Sequence, residues 1–340
     1  MSEKRITLKT ISKIAGVSIG TVSEALNDSP RISEKTKASI RKIAKYHNYC
    51  PNSQAKALMT QKSNTIGFIL DYYQNYTNHK GCIQMMLGAM NVGSIQGYNT
   101  LMTVTPENNN IIDWGLDLYF SKKVDGLLFY GVRPNNPHIE YLNEKKAPYV
   151  ILSGSVSDNR IVTVTSDSHQ AAYSLVDYLI QKGHRKIAHI SGSDVSYGGI
   201  DRREGFFDAL KNNGIKVDES LIITNSYTVQ GGYDGLQTIL ERADDCTAIF
   251  CGSDEIALGC CKYLHEHGMV EGIDMDVVGC NSARTFSECM PFIPNLTTSD
   301  TDYLDLGMIA TRMLLRWIQE GQLKERKILI DSKFIQGSTA

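Results

Sequence analysis

The 340-residue chain is predicted to fold as an all-α helix-turn-helix head and a short hinge helix, followed by an α/β body of two Rossmann-like parallel-sheet subdomains. Three observations predict this. Residues 7–58 contain three short helical periods, each with its own start and stop residues. From Thr65 onward, short β-branched runs alternate with longer helical segments, the signature of parallel sheets with crossover helices. The charge is divided: Met1–Lys62 carries twelve Lys or Arg against four Asp or Glu, leaving 23 basic and 33 acidic residues beyond it. A basic head therefore precedes an acidic body within a net charge of only −2.

Each helix of the head has a physical reason. The first is expected from about Thr7 to Ala15, burying Leu8, Ile11, Ile14 and Ala15, with Gly16 stopping it and Val17 filling the turn. Ser18 supplies the N-cap of the second, which ends near Asn27. Its Val22, Ala25 and Leu26 recur at helical spacing and must face inward, leaving Ile19, Gly20, Ser23, Glu24 and Asn27 outside. Pro30 breaks the chain, Ser33 caps the third helix, and Ile40, Ile43 and Ala44 form its inner stripe. A helix, a glycine turn and a short second helix with a polar outer face form a helix-turn-helix, whose second helix enters the major groove of DNA. The surplus of Lys and Arg supplies what phosphate neutralisation requires.

After the head, Pro51 separates, Asn52 can cap, and residues 53–59 are helix-compatible but too few for a stable isolated helix. The body then runs through TIGFIL, a helix to about Gln96, TLMTV, a helix from about Ile111, VDGLLFY, a helix ending near Lys146, PYVILS and IVTVT. The rhythm restarts with a helix over Gln170–Gln181 and KIAHIS. It continues with a helix through Phe206 and Leu210, LIIT, a helix over Leu236–Leu240, TAIFC, a helix over Glu255–His265, and MDVVGC. That is too many strands for one ordinary sheet, so two consecutive subdomains are expected.

The stretch TLKTISKIAGVSIGTVSEALN, together with TIGFIL, KKVDGLLFYG, GHRKIAHISG, RREGF, AIFCGSDEIALG, VVGCNS, LTTSDTDYLDLG and the closing GSTA, resembles the LacI/GalR-type bacterial transcription regulators, motif after motif in that family's order. The resemblance covers essentially the whole chain. It implies a helix-turn-helix domain at 1–50, a hinge at 51–62 and an effector-binding and dimerisation body at 63–340. The body would resemble periplasmic sugar-binding proteins, with an N-subdomain at about 63–157 plus 301–322 and a C-subdomain at about 158–300 plus 323–340. Crossings between them are implied near 153–162, 299–303 and 320–324.

The resemblance also implies site residues. DNA contacts fall to Thr7, Ser18, Ile19, Gly20, Thr21, Ser23, Glu24, Asn27, Arg31, Asn52, Ala55, Lys56 and Leu58, with Leu58 as an apolar wedge in the minor groove. Glu24 departs from the family, which has an arginine there suited to guanine; a carboxylate instead accepts from cytosine N4. Effector candidates follow the strands, where open α/β sheets bind ligands. They are Tyr73, Tyr130, Ser153, Arg202, Tyr227, Ser253, Asp254, Asn281 and Tyr303, of which Arg202 stands at the family's effector arginine. Ser253 and Asn281 stand where relatives commonly carry Asn and Asp. Arg, Asp and Asn grip adjacent hydroxyls, and an aromatic face covers the apolar side of a sugar ring.

The expected partners are operator DNA, a sugar-like effector and a second copy of the chain, with no cofactor, no metal and no membrane. No G-x-S-x-G, Walker A or helix-opening G-x-G-x-x-G occurs, and the eight histidines show no metal spacing, so no enzyme is expected. The loop G-S-D-V-S-Y-G-G after KIAHIS is a weak phosphate-loop pattern and reads as a cleft loop. The eight scattered cysteines, without an export signal, read as reduced thiols of a cytoplasmic protein. The alternative is a solute-binding protein of the same two-lobed fold without a DNA function; the basic head argues against it.

Overall fold

Thr7, Ser18 and Ser33 each start a helix, and in each case the side-chain oxygen accepts from the backbone N–H three residues on. A computed structural model describes residues 6–49, 62–71, 80–155, 157–192, 196–280 and 295–340 of the chain. It divides into two units, Met1–Ser63 and Asn64–Ala340. In the first, α1 (Leu8–Ala15), α2 (Ile19–Leu26) and α3 (Glu34–Tyr46) close on Ile11, Val22, Ala25, Ile40 and Ala44. Gly16 ends α1 in the left-handed region at φ 67°, which only glycine adopts without strain.

One inward assignment fails. Ile14 is 49% exposed, because the α1 stripe is centred on Ile11, with Leu8 and Ala15 only partly buried beside it. A buried lysine was not foreseen either. The Nζ of Lys37 lies 3.0 Å from Asp28 and 2.7 Å from Glu34, and Arg41 adds a 2.9 Å contact to Asp28. Asp28 itself sits in the left-handed region at φ 62°. This knot fixes the turn between α2 and α3, and it occupies two of the basic residues counted above.

In the second unit, β1 (Thr65–Leu70), β2 (Asn99–Val104), β3 (Gly126–Tyr130), β4 (Tyr149–Leu152) and β5 (Thr163–Ser166) alternate with α4 (Lys80–Ile95), α5 (Ile111–Phe120) and α6 (Ile139–Glu144). A later strand, here β11 (Lys327–Ile330), completes a six-stranded parallel sheet in the order β11-β5-β4-β3-β1-β2. Strands buried on both faces read as continuous apolar runs, as TIGFIL and GLLFY do.

The second sheet, β7-β6-β8-β9, is built from β6 (Ile187–Ser191), β7 (Ile222–Thr224), β8 (Ala248–Cys251) and β9 (Asp276–Val278). Around it lie α7 (Ser168–Gln181), α8 (Tyr197–Asn212), α9 (Val229–Arg242) and α10 (Asp254–Glu266). Strands β10 (Thr298–Asp300) and β12 (Lys333–Ile335) pair antiparallel, and a bridge from Thr297 to Val278 continues the sheet. The last residues dock here: Val277 N–H donates to the Thr339 carbonyl at 2.7 Å, and Tyr178 O–H to that of Ala340 at 3.0 Å.

The sheet memberships correct the expected subdomain limits. Thr163–Ser166 and Lys327–Ile330 both belong to the first sheet, whereas the family resemblance implies a second subdomain of about 158–300 plus 323–340. The chain therefore crosses after Ser166, near Thr301 and at Asp331–Ser332; only the middle crossing stands where expected. The cause is the non-local pair β5·β11, which local periodicity cannot reveal. The 18-residue α11 (Tyr303–Glu320), packed against α4, was also not among the expected elements.

Candidate functional site

On the head, the outward face of α2 is fully described. Ile19 is 46% exposed, Ser18, Gly20 and Asn27 are exposed, and Thr21, Ser23 and Glu24 are half-buried. Several of these carry structural duties first. The Ser18 hydroxyl accepts from Thr21 N–H at 3.0 Å and pairs with the Thr21 hydroxyl at 2.9 Å. The Asn27 amide donates to the Ser23 carbonyl at 3.0 Å. Thr7 closes a capping box with Thr10. Ile19, Gly20 and Glu24 carry no such duty among the described residues, which leaves an apolar methyl surface, a bare backbone and a carboxylate to meet a groove. Arg31 is exposed beyond the turn. Asn52, Ala55, Lys56 and Leu58 lie outside the described residues.

In the body, strand ends position the other candidates. Arg202 projects from α8, directly after β6, and is only 7% exposed. Its guanidinium donates to the Tyr227 hydroxyl at 3.0 Å and lies 5.8 Å from that ring's centroid. Tyr227 reaches it because Gly192, at the end of β6, has no side chain; a Cβ there would overlap the tyrosine ring. Asp254 is 1% exposed, following its cap Ser253 at the start of α10. One carboxyl oxygen, Oδ1, accepts from the Thr298 hydroxyl at 2.6 Å. The absence of a side chain at Gly279 leaves room for that oxygen. Burial pushes the Asp254 carboxyl up to about 8, so at neutral pH it is largely protonated.

Tyr303 opens α11, is buried, and has its ring against Gly81 of α4. Arg202 acts on the ionisation of Asp254, Tyr303 and Cys280, and Cys280 and Asp254 act on that of Tyr303, so the fold brings the four into one cluster. Cys280 was missed by sequence reasoning. It is fully buried, its Sγ lies 3.1 Å from the Ser299 hydroxyl, and Arg202 hydrogen-bonds to it. Its only signal was its place at the end of VVGC, beside Asn281. Tyr130 and Ser153 stand at the carboxyl ends of β3 and β4, Ser153 in the left-handed region at φ 57°. Tyr73 and Asn281 lie outside the described residues.

Two orphaned atoms lie in the cluster, and others occur elsewhere in the body, at Thr100 Oγ1 and His189 Nε2. Arg202 Nε and Asp254 Oδ2 are buried and have no hydrogen-bond partner among the described residues. Such atoms are rare in native folds and call for a missing partner. A cavity of about 320 Å³ lies where the three crossings meet, lined by Asp167, Ser299, Asp331, Ser332 and Phe334 among others, so it borders the cluster through Ser299. None of the described effector candidates lines it. Among the described residues no group of His, Cys, Asp or Glu could hold a metal, and no helix is long and apolar enough to cross a membrane.

Comparison with known proteins adds to this geometry. Residues 7–52 match the family model described as "Bacterial regulatory proteins, lacI family", and residues 63–338 that of "Periplasmic binding proteins and sugar binding domain of LacI family". The chain is 30% identical over 331 residues to the probable HTH-type transcriptional repressor ExuR of Bacillus subtilis, covering 97% of each. It is 27% identical to catabolite control protein A of Priestia megaterium, over 97% of this chain and 96% of that one. In structure it is similar to the lac repressor dimer bound to operator and an anti-inducer, with a TM-score of 0.88 at 22% identity, over 99% of each chain.

Proposed function

This chain belongs to the LacI family of bacterial regulatory proteins and is a DNA-binding transcription regulator, and from that premise we infer how its two units divide the work. The head reads operator DNA through α2, and the body binds a small sugar-like effector at the Arg202 cluster. Operator affinity follows effector occupancy, and the regulated genes serve carbohydrate use, with the chain acting as their repressor. The observation that carries the DNA reading is the α2 face, whose ungripped members are Ile19, Gly20 and Glu24 on a basic unit. The solute-binding alternative is not favoured, since the helix-turn-helix match covers 7–52.

The proposed DNA contacts are Thr7, Ser18, Thr21, Ser23, Asn27 and Arg31 to the backbone or base edges, and Ile19 and Glu24 to bases. Asn52, Ala55, Lys56 and Leu58 complete them from the hinge. Two-fold operators need two heads, so the working unit is a homodimer. An apolar row on α4, Ile83, Leu87 and Met90 at helical spacing, remains exposed beside Leu304 of α11 and suits the seam between copies.

Coupling would run through the crossings. Thr301 and Ser332 hydroxyls, on two of them, lie 2.9 Å apart. Tyr197, at the start of α8, packs into the first sheet's apolar cluster and donates to Asp158 at 3.0 Å. An effector that closes the cleft changes these contacts, and its differential affinity for the two arrangements sets how far the operator equilibrium moves. Selection of binding sites from random DNA by the full-length chain tests the reading. We expect a salt-sensitive two-fold site whose half-site differs from the usual family sequence at the base under Glu24. Recovery of the usual half-site contradicts that assignment.

A further inference from the structure

The Arg202 cluster holds an unbalanced charge. Arg41, Arg133 and Arg160, all partly exposed, each lie within 4 Å of a carboxylate, namely Asp28, Asp71 and Asp158. Arg202, the most deeply buried of the four, has none among the described residues. Its neighbours are the Tyr227 hydroxyl, the Cys280 thiol and the Tyr303 ring, and although Asp201 and Asp254 feel its charge, neither lies within ion-pair distance. A buried guanidinium without a counter-charge is unfavourable, and folds normally pair it. Here one of its N–H groups, at Nε, is also left without an acceptor.

Asp254 does not supply the missing charge. Its Oδ1 is held by Thr298 and its Oδ2 has no partner among the described residues. Burial keeps this carboxyl largely protonated, so Oδ2 offers an O–H to a ligand rather than an anion to Arg202. Two buried donors and one cation therefore await an acceptor that carries negative charge. Tyr227, Cys280, Tyr303 and Asp254 contribute no second cation, so a single negative charge matches the site, whereas a phosphate dianion would leave an excess.

We propose that the effector is a small sugar acid, whose carboxylate is gripped by Arg202 Nε and Asp254 Oδ2 while its hydroxyls and ring meet the tyrosines. This rests on the assignment of the effector site to the Arg202 cluster and adds the ligand's charge. A carboxylate–guanidinium contact is charge-assisted and about twice as strong as a neutral one, so the discrimination is measurable.

Titration calorimetry on the full-length chain tests it, with glucuronate and galacturonate set against glucose, galactose and their 6-phosphates. The expected result is that at least one acid binds about tenfold or more tightly than its neutral parent. Arg202→Gln should erase that preference, and Arg202→Lys, which keeps the charge, should retain part of it. Melting curves of both variants without ligand establish that they fold. Neutral sugars binding as tightly as the acids, with Arg202→Gln weakening both alike, overturn the carboxylate and leave the cleft standing. Binding of the 6-phosphates alone overturns the single charge in the same way. Binding of an acid that neither variant alters removes Arg202 from the site and overturns both, as does a failure of every probe to bind.

Discussion

In the head, much of the face proposed to meet a partner stands in water: Ile19 is 46% exposed and Ser18, Gly20 and Asn27 are exposed, with Glu24 half-buried. In the body the corresponding residues are hidden, Arg202 being 7% and Asp254 1% exposed. The difference follows from what each region recognises. A DNA duplex is larger than the head, so the contact surface must be convex and its polar groups satisfied by water beforehand. A small ligand is engulfed, so its partners are desolvated in advance and left with unmet hydrogen bonds. A head mutation should therefore alter recognition with little effect on folding, whereas a cleft mutation should alter both.

The largest effect expected is on the cleft. Arg202→Ala should abolish the effector's influence on operator binding while leaving effector-free DNA affinity unchanged, as read by fluorescence anisotropy with and without ligand. A variant that still responds would remove the distinction between the two regions. Next comes the reading face. Glu24→Arg should change the preferred base by about 1–3 kcal/mol, measured as affinity ratios on paired operators, with the melting temperature within a degree or so. Equal tightening on every sequence would mean that Glu24 acts only through its charge near phosphates.

Asp254→Asn should separate folding from recognition. The buried carboxyl titrates at about 8, against an ordinary value of 3.8. Its protonated form therefore contributes stability that is fully present below the ordinary value and is lost as pH rises through 8. Asparagine keeps an acceptor for Thr298 and cannot ionise. The ligand-free variant should thus melt a few degrees above the natural chain near about pH 9, the gap closing toward about pH 4. A gap independent of pH would show that Asp254 is ionised throughout. The smallest effect belongs to Gly20→Ala, where an added Cβ meets only the Ser18 hydroxyl, at 3.6 Å. It should stabilise the head by up to about 1 kcal/mol in thermal melts and change operator affinity only where a methyl meets a base.

The same contrast explains what the sequence disclosed. The head was legible almost completely because its signals are local: Ser18 and Ser33 as caps, Gly16 as the stop, Val22 and Ala25 as the inner stripe. Ile14 went wrong because a three-helix core is too small to cover every apolar position of a one-sided helix. The Asp28–Lys37 knot stayed hidden because it depends on a left-handed turn residue that no pattern marks. In the body, strand and helix alternation was legible, but the join of β5 to β11 spans 163 to 327 and leaves no periodic trace. Arg202, Tyr227, Asp254 and Tyr303 were named through their places after strands and through the family resemblance. Cys280 was not, because a cysteine in an apolar run reads as core. The orphaned Nε and Oδ2 are properties of packing alone.

The central claim is that a basic, water-exposed head holds duplex phosphates while a buried cleft in the body sets how tightly it does so. The most direct test is operator affinity of the full-length chain measured across a salt series, with and without a ligand that calorimetry shows to bind. The account predicts that log affinity falls linearly with log salt, by roughly 0.9 per phosphate neutralised, and that the ligand displaces the whole line. An affinity indifferent to salt, or a line the bound ligand leaves unmoved, would contradict it.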